Sequence, residues 1–233
     1  MAGEVQTPGY QGPLKAGTRI PDTQEILIRE PFPFVSRGAL KLAAPISAFG
    51  LSLEGVSLLD VGISTGGFSD FALQAGAKRV LGVDVTIHQV DRKLQEDPRV
   101  TLVRKNARHL LPEDLPWPPD LAVMDLSFIS ILLVLPALST ATSCPVLSLI
   151  KPQFEAERHE IGRGGIVRTS EIRARILSRL REAISPLGYG ISAACLAGIR
   201  GQKGNQEFFF LMTPHAPHSV SQESLHELAF QSP

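Results

Sequence analysis

From Val56 onward, short continuous apolar runs alternate with stretches of helical spacing. VSLLDV (56–61), RVLGVDV (79–85), VTLV (100–103), DLAVMDL (120–126) and VLSLI (146–150) have the length and unbroken apolarity of strands buried on both faces. Between and after them, Gly66–Ala75, Ile87–Glu96, Ile129–Leu138 and Ser170–Ile184 repeat apolar residues every three or four positions, with Ser170 placed to cap the last helix. An earlier helix is predicted over Arg37–Phe49, with Leu40, Leu42, Ala43 and Ile46 on its apolar side and Gly50 ending it. YGISAACLA (189–197) and EFFFLM (207–212) read as two last strands. The Gly/Lys-rich loop joining them is too short for a helical crossover, so the pair should be antiparallel. The expected fold is α/β and Rossmann-like: a seven-stranded, mostly parallel sheet with an antiparallel last strand and helices on both faces.

Two flanks lack this periodicity. Residues 1–32 are rich in Pro, Gly and polar residues and read as an extended N-terminal arm. Residues 213–233 carry three solvated histidines and read as a C-terminal tail with a short helix near Gln222–Ala229. The domain itself should span 33–212.

Composition narrows the class. The 233 residues are 43% hydrophobic and 20% charged, which excludes a disordered or collagen-like chain. The two cysteines, Cys144 and Cys195, form no CxxC pair and no His/Cys cluster, so neither a metal site nor a disulfide framework is expected; they read as reduced thiols of a cytoplasmic protein. No charge occurs between Leu126 and Ile150, but Pro136, Pro145 and the polar group Ser139, Thr140, Thr142 and Ser143 make a buried helix and strand a better reading than a membrane span. No signal peptide is visible.

The first strand ends in DVGISTGG (60–67): an acid, a glycine-rich turn, then a helix. This arrangement suits a nucleotide-type ligand. The spacing Gly62-x-x-x-Gly66-Gly67 matches neither GxGxxG nor a Walker loop, and the leading Asp60 suits a ligand with a cationic amino-acid part better than a pyrophosphate. Ser64 and Thr65 complete the turn. Asp84 ends the second strand, where an acid can bond ribose hydroxyls, and Asn106 follows the third, within reach of an adenine edge. In that order these features favour S-adenosylmethionine, with a nicotinamide cofactor as a weaker alternative.

Asp125 and Lys151 end the fourth and fifth strands, where α/β active sites lie. Lys41, on the helix before the first strand, and Glu207, opening the last strand, can complete the group. Two lysines with two acids suit removal of a proton from a weakly acidic hydroxyl.

Seven ordered blocks then carry a resemblance: FVSRGALKL (34–42), LLDVGISTGGFSDFALQAGAKRVLGVDV (58–85), DPRV (97–100), DLSFIS (125–130), LIKPQFE (149–155), GRGGIVR (162–168) and GNQEF (204–208). Over them the sequence resembles the TlyA (haemolysin A) family, FtsJ-like methyltransferases that act on ribose 2′-hydroxyls of rRNA. The resemblance implies a class I methyltransferase domain, S-adenosylmethionine as cofactor, and rRNA or a ribosomal subunit as partner. It implies Lys41, Asp125, Lys151 and Glu207 as the catalytic set, with Lys151 the base. Phe154 and Glu155 belong to a matched block, with a lid, RNA-facing or packing role. Members usually carry an RNA-binding module ahead of VSRG, and the residues before Phe34 are neither basic nor patterned enough to match it.

The equal count of 23 basic and 23 acidic residues hides an uneven distribution. Six arginines between 163 and 181 face Glu171 alone. Arg163 and Arg168, in a loop beside the expected cleft, and Arg200 and Lys203, in the loop before Glu207, are candidate RNA contacts; the helical arginines read as a solvated face. RNA affinity should be weak for the chain alone, with docking decided by the local arginines or by a separate RNA-binding partner. Other readings are a catalytically silent or partner-dependent RNA- and cofactor-binding protein and, with little support, the membrane-lytic activity of the family's older name.

Overall fold

The computed structural model describes residues 5–8, 17–28 and 32–232. The chain divides into two units, Met1–Pro33 and Phe34–Pro233. In the first, β1 (Val5–Gln6) pairs antiparallel with β2 (Leu27–Ile28), and Gln24 Nε2 donates to the Pro8 carbonyl at 2.8 Å. The expected extended arm thus holds one short ladder and a turn closed by Gln24 N on the Pro21 carbonyl; residues 1–4, 9–16 and 29–31 of it lie outside the described residues.

The second unit is built on seven strands: β3 (Ser57–Val61), β4 (Arg79–Asp84), β5 (Val100–Arg104), β6 (Leu121–Met124), β7 (Val146–Ile150), β8 (Tyr189–Leu196) and β9 (Phe208–Pro214). They lie in the order β5-β4-β3-β6-β7-β9-β8. The first five are mutually parallel; β9 runs antiparallel between β7 and β8. Strand order reverses at β3 and β6, which opens a crevice at their carboxyl ends.

Alternate residues of each strand feed opposite cores, as the two-residue period of a strand requires. Leu59, Val61, Leu81, Val83, Phe208 and Phe210 join the core under α4 (Leu135–Ala141), α6 (Ser170–Ile184) and α7 (Gln222–Phe230). Leu58, Val80 and Phe209 join the core under α1 (Ala39–Ala48), α2 (Gly67–Gln74) and α3 (Arg92–Gln95). Each of these fully buried phenylalanines contributes about 1.5–3 kcal/mol of apolar transfer.

Several sequence expectations shift. On α1 the buried positions are Ala39, Leu42 and Pro45, while Leu40 is exposed. The helix expected over Ile87–Glu96 is broken. A 3₁₀ turn (Ile87–Gln89) ends at extended Val90, and Asp91 then caps α3 by accepting from Lys93 N at 2.9 Å. The stretch Ile129–Leu138 also splits: Pro136, which lacks an N–H, sits in the first turn of α4, where no helical donor is needed, and a 3₁₀ turn (Ile131–Leu133) precedes it. The cap of α6 is Thr169, whose hydroxyl accepts from Ile172 N, rather than Ser170. The C-terminal segment is no loose tail: Leu225 and Ala229 of α7 are fully buried in the core with α6. His218 is not simply solvated, since its Nδ1 accepts from Ile191 N at 2.9 Å beside the β8 irregularity.

Candidate active site

Lys151 is the first residue past β7, and Glu207 the last before β9. The two strands pair through Ile150 and Phe208, so Lys151 and Glu207 follow at the next rung. Glu207 is 3% exposed and takes the ammonium of Lys41, which reaches across from α1, at 2.6 Å. Lys151, 8% exposed, sits 2.6 Å from Asp125 Oδ1 and donates to Ser127 Oγ at 2.8 Å. Gln153 Nε2 reaches Glu207 Oε1 at 3.5 Å. All four residues expected from the sequence therefore meet at one edge of the sheet, in two lysine–carboxylate pairs. Pairing lets cations and carboxylates lie side by side where either sign alone would be costly to bury.

Four contributors were not singled out from the sequence. Ser127 gives Lys151 its hydroxyl partner, and Gln153 reaches Glu207. Gly201 lies over Glu207, and a Cβ there would stand 2.0 Å from Glu207 Oε1. Phe128 holds a left-handed backbone (φ +64) and is 89% exposed, its ring 5.1 Å from that of Phe154. A large apolar side chain displayed in a backbone conformation that L-residues seldom adopt is a costly arrangement. Its signals in the sequence are its place shortly after a strand-end acid and its position within the block DLSFIS.

Beside this edge lies a cavity of about 1010 Å³, lined by Gly62, Ser64, Asp84, Asn106, Asp125, Leu126, Ser127, Phe128, Gln153 and Phe154 among others. A smaller recess behind it is lined by Ser36, Asp60, Gly62, Ser64, Thr65, Gly67 and Asp125. Gly62 and Ser64 line both spaces, so the turn expected to hold a cofactor borders each. Its glycines serve the protein as much as any ligand. A Cβ on Gly66 (φ +97) would stand 2.1 Å from Leu94 Cδ1, and one on Gly67 2.3 Å from Ser36 Oγ. The turn is therefore wedged between the start of α1 and α3.

The acids around the turn differ in what they do. Asp84 accepts Ser64 N on one oxygen and Thr86 N on the other, each at 3.0 Å, and so fixes the turn; each oxygen keeps further acceptor capacity toward the cavity. Asp60 is 1% exposed and accepts the Ser69 hydroxyl at 2.6 Å. Burial, with Asp125 and Asp84 nearby, pushes its carboxyl up to about 7. Asn106 caps the 3₁₀ turn Ala107–His109 by accepting from Arg108 N at 3.1 Å, at the cavity wall.

The candidate RNA-contacting cations lie on two loops that are tied together. Asn205 accepts from Val167 N at 3.1 Å and donates to the Gly165 carbonyl at 3.0 Å, and Lys203 Nζ donates to the Gly164 carbonyl. Arg163, Arg168, Arg200 and Lys203 are all exposed there, and Arg200 donates to the Gly204 carbonyl. Of the four arginines on α6, Arg175 is exposed as expected, while the other three are partly or fully buried. Arg173 is buried and donates to the Ala229 carbonyl, Arg179 holds Glu160, and Arg181 donates to the Val220 carbonyl. Much of the positive cluster thus fastens α6 to its neighbours. Among the described residues no group of three or more His, Cys, Asp or Glu is placed to hold a metal ion, and no helix is long and apolar enough to cross a membrane.

The model of the FtsJ-like methyltransferases matches residues 34–213. This chain belongs to the FtsJ-like methyltransferase family. It is 36% identical over 231 residues to the 16S/23S rRNA (cytidine-2′-O)-methyltransferase TlyA of Mycobacterium tuberculosis, covering 97% of this chain and 86% of that protein. It is 37% identical over 212 residues to hemolysin A of Brachyspira hyodysenteriae, covering 89% and 88%. A solved hemolysin-named protein from Streptococcus thermophilus superposes with a TM-score of 0.81 at 38% identity, over 90% of this chain and 78% of that one. An S-adenosylmethionine dependent methyltransferase from Listeria monocytogenes, at 14% identity and a TM-score of 0.55 over 77% of this chain and 100% of that one, shares the fold. The FtsJ-like match begins at Phe34, where the second unit begins, and ends within β9, before α7.

Proposed function

We propose that the chain is an S-adenosylmethionine-dependent methyltransferase of rRNA ribose 2′-hydroxyls. The observation that carries this reading is the pair of lysine–carboxylate contacts, Lys151–Asp125 and Lys41–Glu207, held at the mouth of the crevice. The FtsJ-like match and the name of the mycobacterial relative support the reaction and the substrate class.

The residues present fit the cofactor. The larger cavity is in the size range of small-molecule sites and joins apolar walls to the carboxylate of Asp84 and the amide of Asn106. The recess adds buried Asp60, suited to a cationic amino-acid end. Asp84 and Asn106 would hold the nucleoside part and Asp60 with the Gly62–Gly67 turn the amino-acid part; when bound, the cofactor supplies an electrophilic methyl group.

The chain's own residues do the rest. The ammonium of Lys151 paired with Asp125 first gives a proton to solvent, and Nζ then takes the ribose hydroxyl proton. Asp125 and Ser127 fix Nζ in place and stabilise the ammonium that results. Lys41 and Glu207 hold the hydroxyl-bearing side of the site without adding net charge. Phe128 presents a ring face to an unstacked base at the rim. Arg163, Arg168, Arg200 and Lys203 meet phosphates, and the ribosomal subunit or a separate RNA-binding partner supplies further grip.

The test is radiolabelled methyl transfer to ribosomal subunits, with the 2′-O-methyl position mapped. Lys151→Ala should lower the rate by about 10²–10⁴-fold, the usual worth of a positioned base, while calorimetry shows unchanged cofactor binding. Transfer by that variant at the wild-type rate would overturn the assignment of the base.

A further inference from the structure

Glu155 ends α5 (Pro152–Glu155), the short helix that starts directly after Lys151. Both of its carboxylate oxygens are engaged by the loop that follows β6. Oε2 accepts the Ser130 hydroxyl at 2.5 Å and Oε1 accepts Ile131 N at 2.9 Å. Ser130 Oγ also accepts from Leu132 N at 3.2 Å, so the acid and the hydroxyl together close the start of the Ile131–Leu133 turn. Burial pushes the Glu155 carboxyl above the usual carboxylate range. From behind, Arg179 of α6 donates to the Glu155 carbonyl at 3.2 Å while holding Glu160 at 2.8 Å. The acid is therefore fixed to the frame on one side and grips the loop on the other.

That loop, 125–131, carries both partners of Lys151: Asp125 at 2.6 Å and Ser127 at 2.8 Å. It also carries Phe128, whose ring meets that of Phe154 on α5. The contacts close a ring: Lys151 to Asp125 and Ser127, along the loop to Ser130 and Ile131, across to Glu155, and back through α5 to Lys151. We propose that Glu155 is a positioning residue, a latch that sets where Ser127 and Phe128 stand relative to Lys151 and so shapes the site for the RNA ribose and its base. The latch deepens the methyltransferase reading and rests on it for its consequence in catalysis.

The test compares Glu155→Ala and Glu155→Gln in the full chain. Glutamine keeps a carbonyl for Ile131 N and offers its amide to Ser130 Oγ, so it should preserve the latch; alanine removes both hydrogen bonds. Hydrogen exchange over 126–134 should quicken by about tenfold or more in Glu155→Ala and stay near wild type in Glu155→Gln, with α1, α2 and the sheet unchanged. In the transfer assay, Glu155→Ala should raise KM for RNA and lower kcat, about tenfold in kcat/KM, while cofactor affinity by calorimetry stays within about twofold and Glu155→Gln restores the rate. If Glu155→Ala does not fold, Glu155→Asp, one methylene shorter, gives the same contrast. Unaltered exchange at 126–134 in the variant without these hydrogen bonds, or a glutamine variant as impaired as alanine, would overturn the latch. Should the wild-type protein transfer no methyl to RNA, the functional reading fails, while the exchange contrast still decides the latch.

Discussion

Asp60 offers a perturbation whose sign can be worked from the structure. Its carboxyl is 1% exposed, has one side-chain donor in Ser69, and lies near Asp125 and Asp84. Desolvation dominates and raises it from 3.8 to about 7. Between those values the folded protein keeps a proton that the unfolded chain has released. The folded state binds more protons, so stability is fullest below the unfolded value and is lost as pH rises through about 7. A shift of that size corresponds to at most about 4 kcal/mol, and relaxation around a charged Asp60 makes about 2–3 kcal/mol the expected loss. Asp60→Asn removes the titration yet keeps a carbonyl for the Ser69 hydroxyl. Urea unfolding of both proteins at about pH 4 and about pH 8 measures the effect. Near pH 4, close to the unfolded value, folded and unfolded chains hold nearly the same proton and the two proteins should agree within about 1 kcal/mol; near pH 8 the variant should be the more stable, by about 2–3 kcal/mol. An equal difference at both pH values would refute the reasoning, because Asp60 would then titrate as an ordinary carboxylate.

Other outcomes follow from single side chains. Gly201→Ala places a Cβ 2.0 Å from Glu207 Oε1, so methyl transfer should fall by about tenfold as the Lys41–Glu207 pair is displaced, with a stability loss of about 1–3 kcal/mol in urea. Arg173→Ala leaves the Ala229 carbonyl without its buried donor; a loss of about 1–3 kcal/mol should appear in thermal unfolding. Arg163→Ala and Arg200→Ala should leave the melting temperature alone and weaken RNA binding, each lowering the slope of log K against log salt by about 0.7–0.9 for every phosphate no longer neutralised.

The sequence determined the sheet, because continuous apolar runs such as VSLLDV and VLSLI have no stable place except between two covered faces. It determined the antiparallel ending, because the loop between the last two strands is too short to cross over. It also marked Asp125 and Lys151, since charged residues at the ends of buried strands have no packing role. Only the tertiary structure decided the rest. Strand β9 inserts between β7 and β8, and that brings Glu207 beside Lys151; pairing across that distance in the chain is set by sheet order, which local pattern does not encode. Helix α1 folds back so that Lys41 meets Glu207, 166 positions away. The glycines of the turn looked like ligand clearance, yet Gly66 and Gly67 are equally demanded by Leu94 and Ser36, neighbours that appear only on folding. The arginine cluster looked like a charged face, yet Arg173, Arg179 and Arg181 are turned onto carbonyls and Glu160 by the packing of α6. Periodicity reports which residues must leave water; which partner each polar group finds there depends on what the fold brings opposite it.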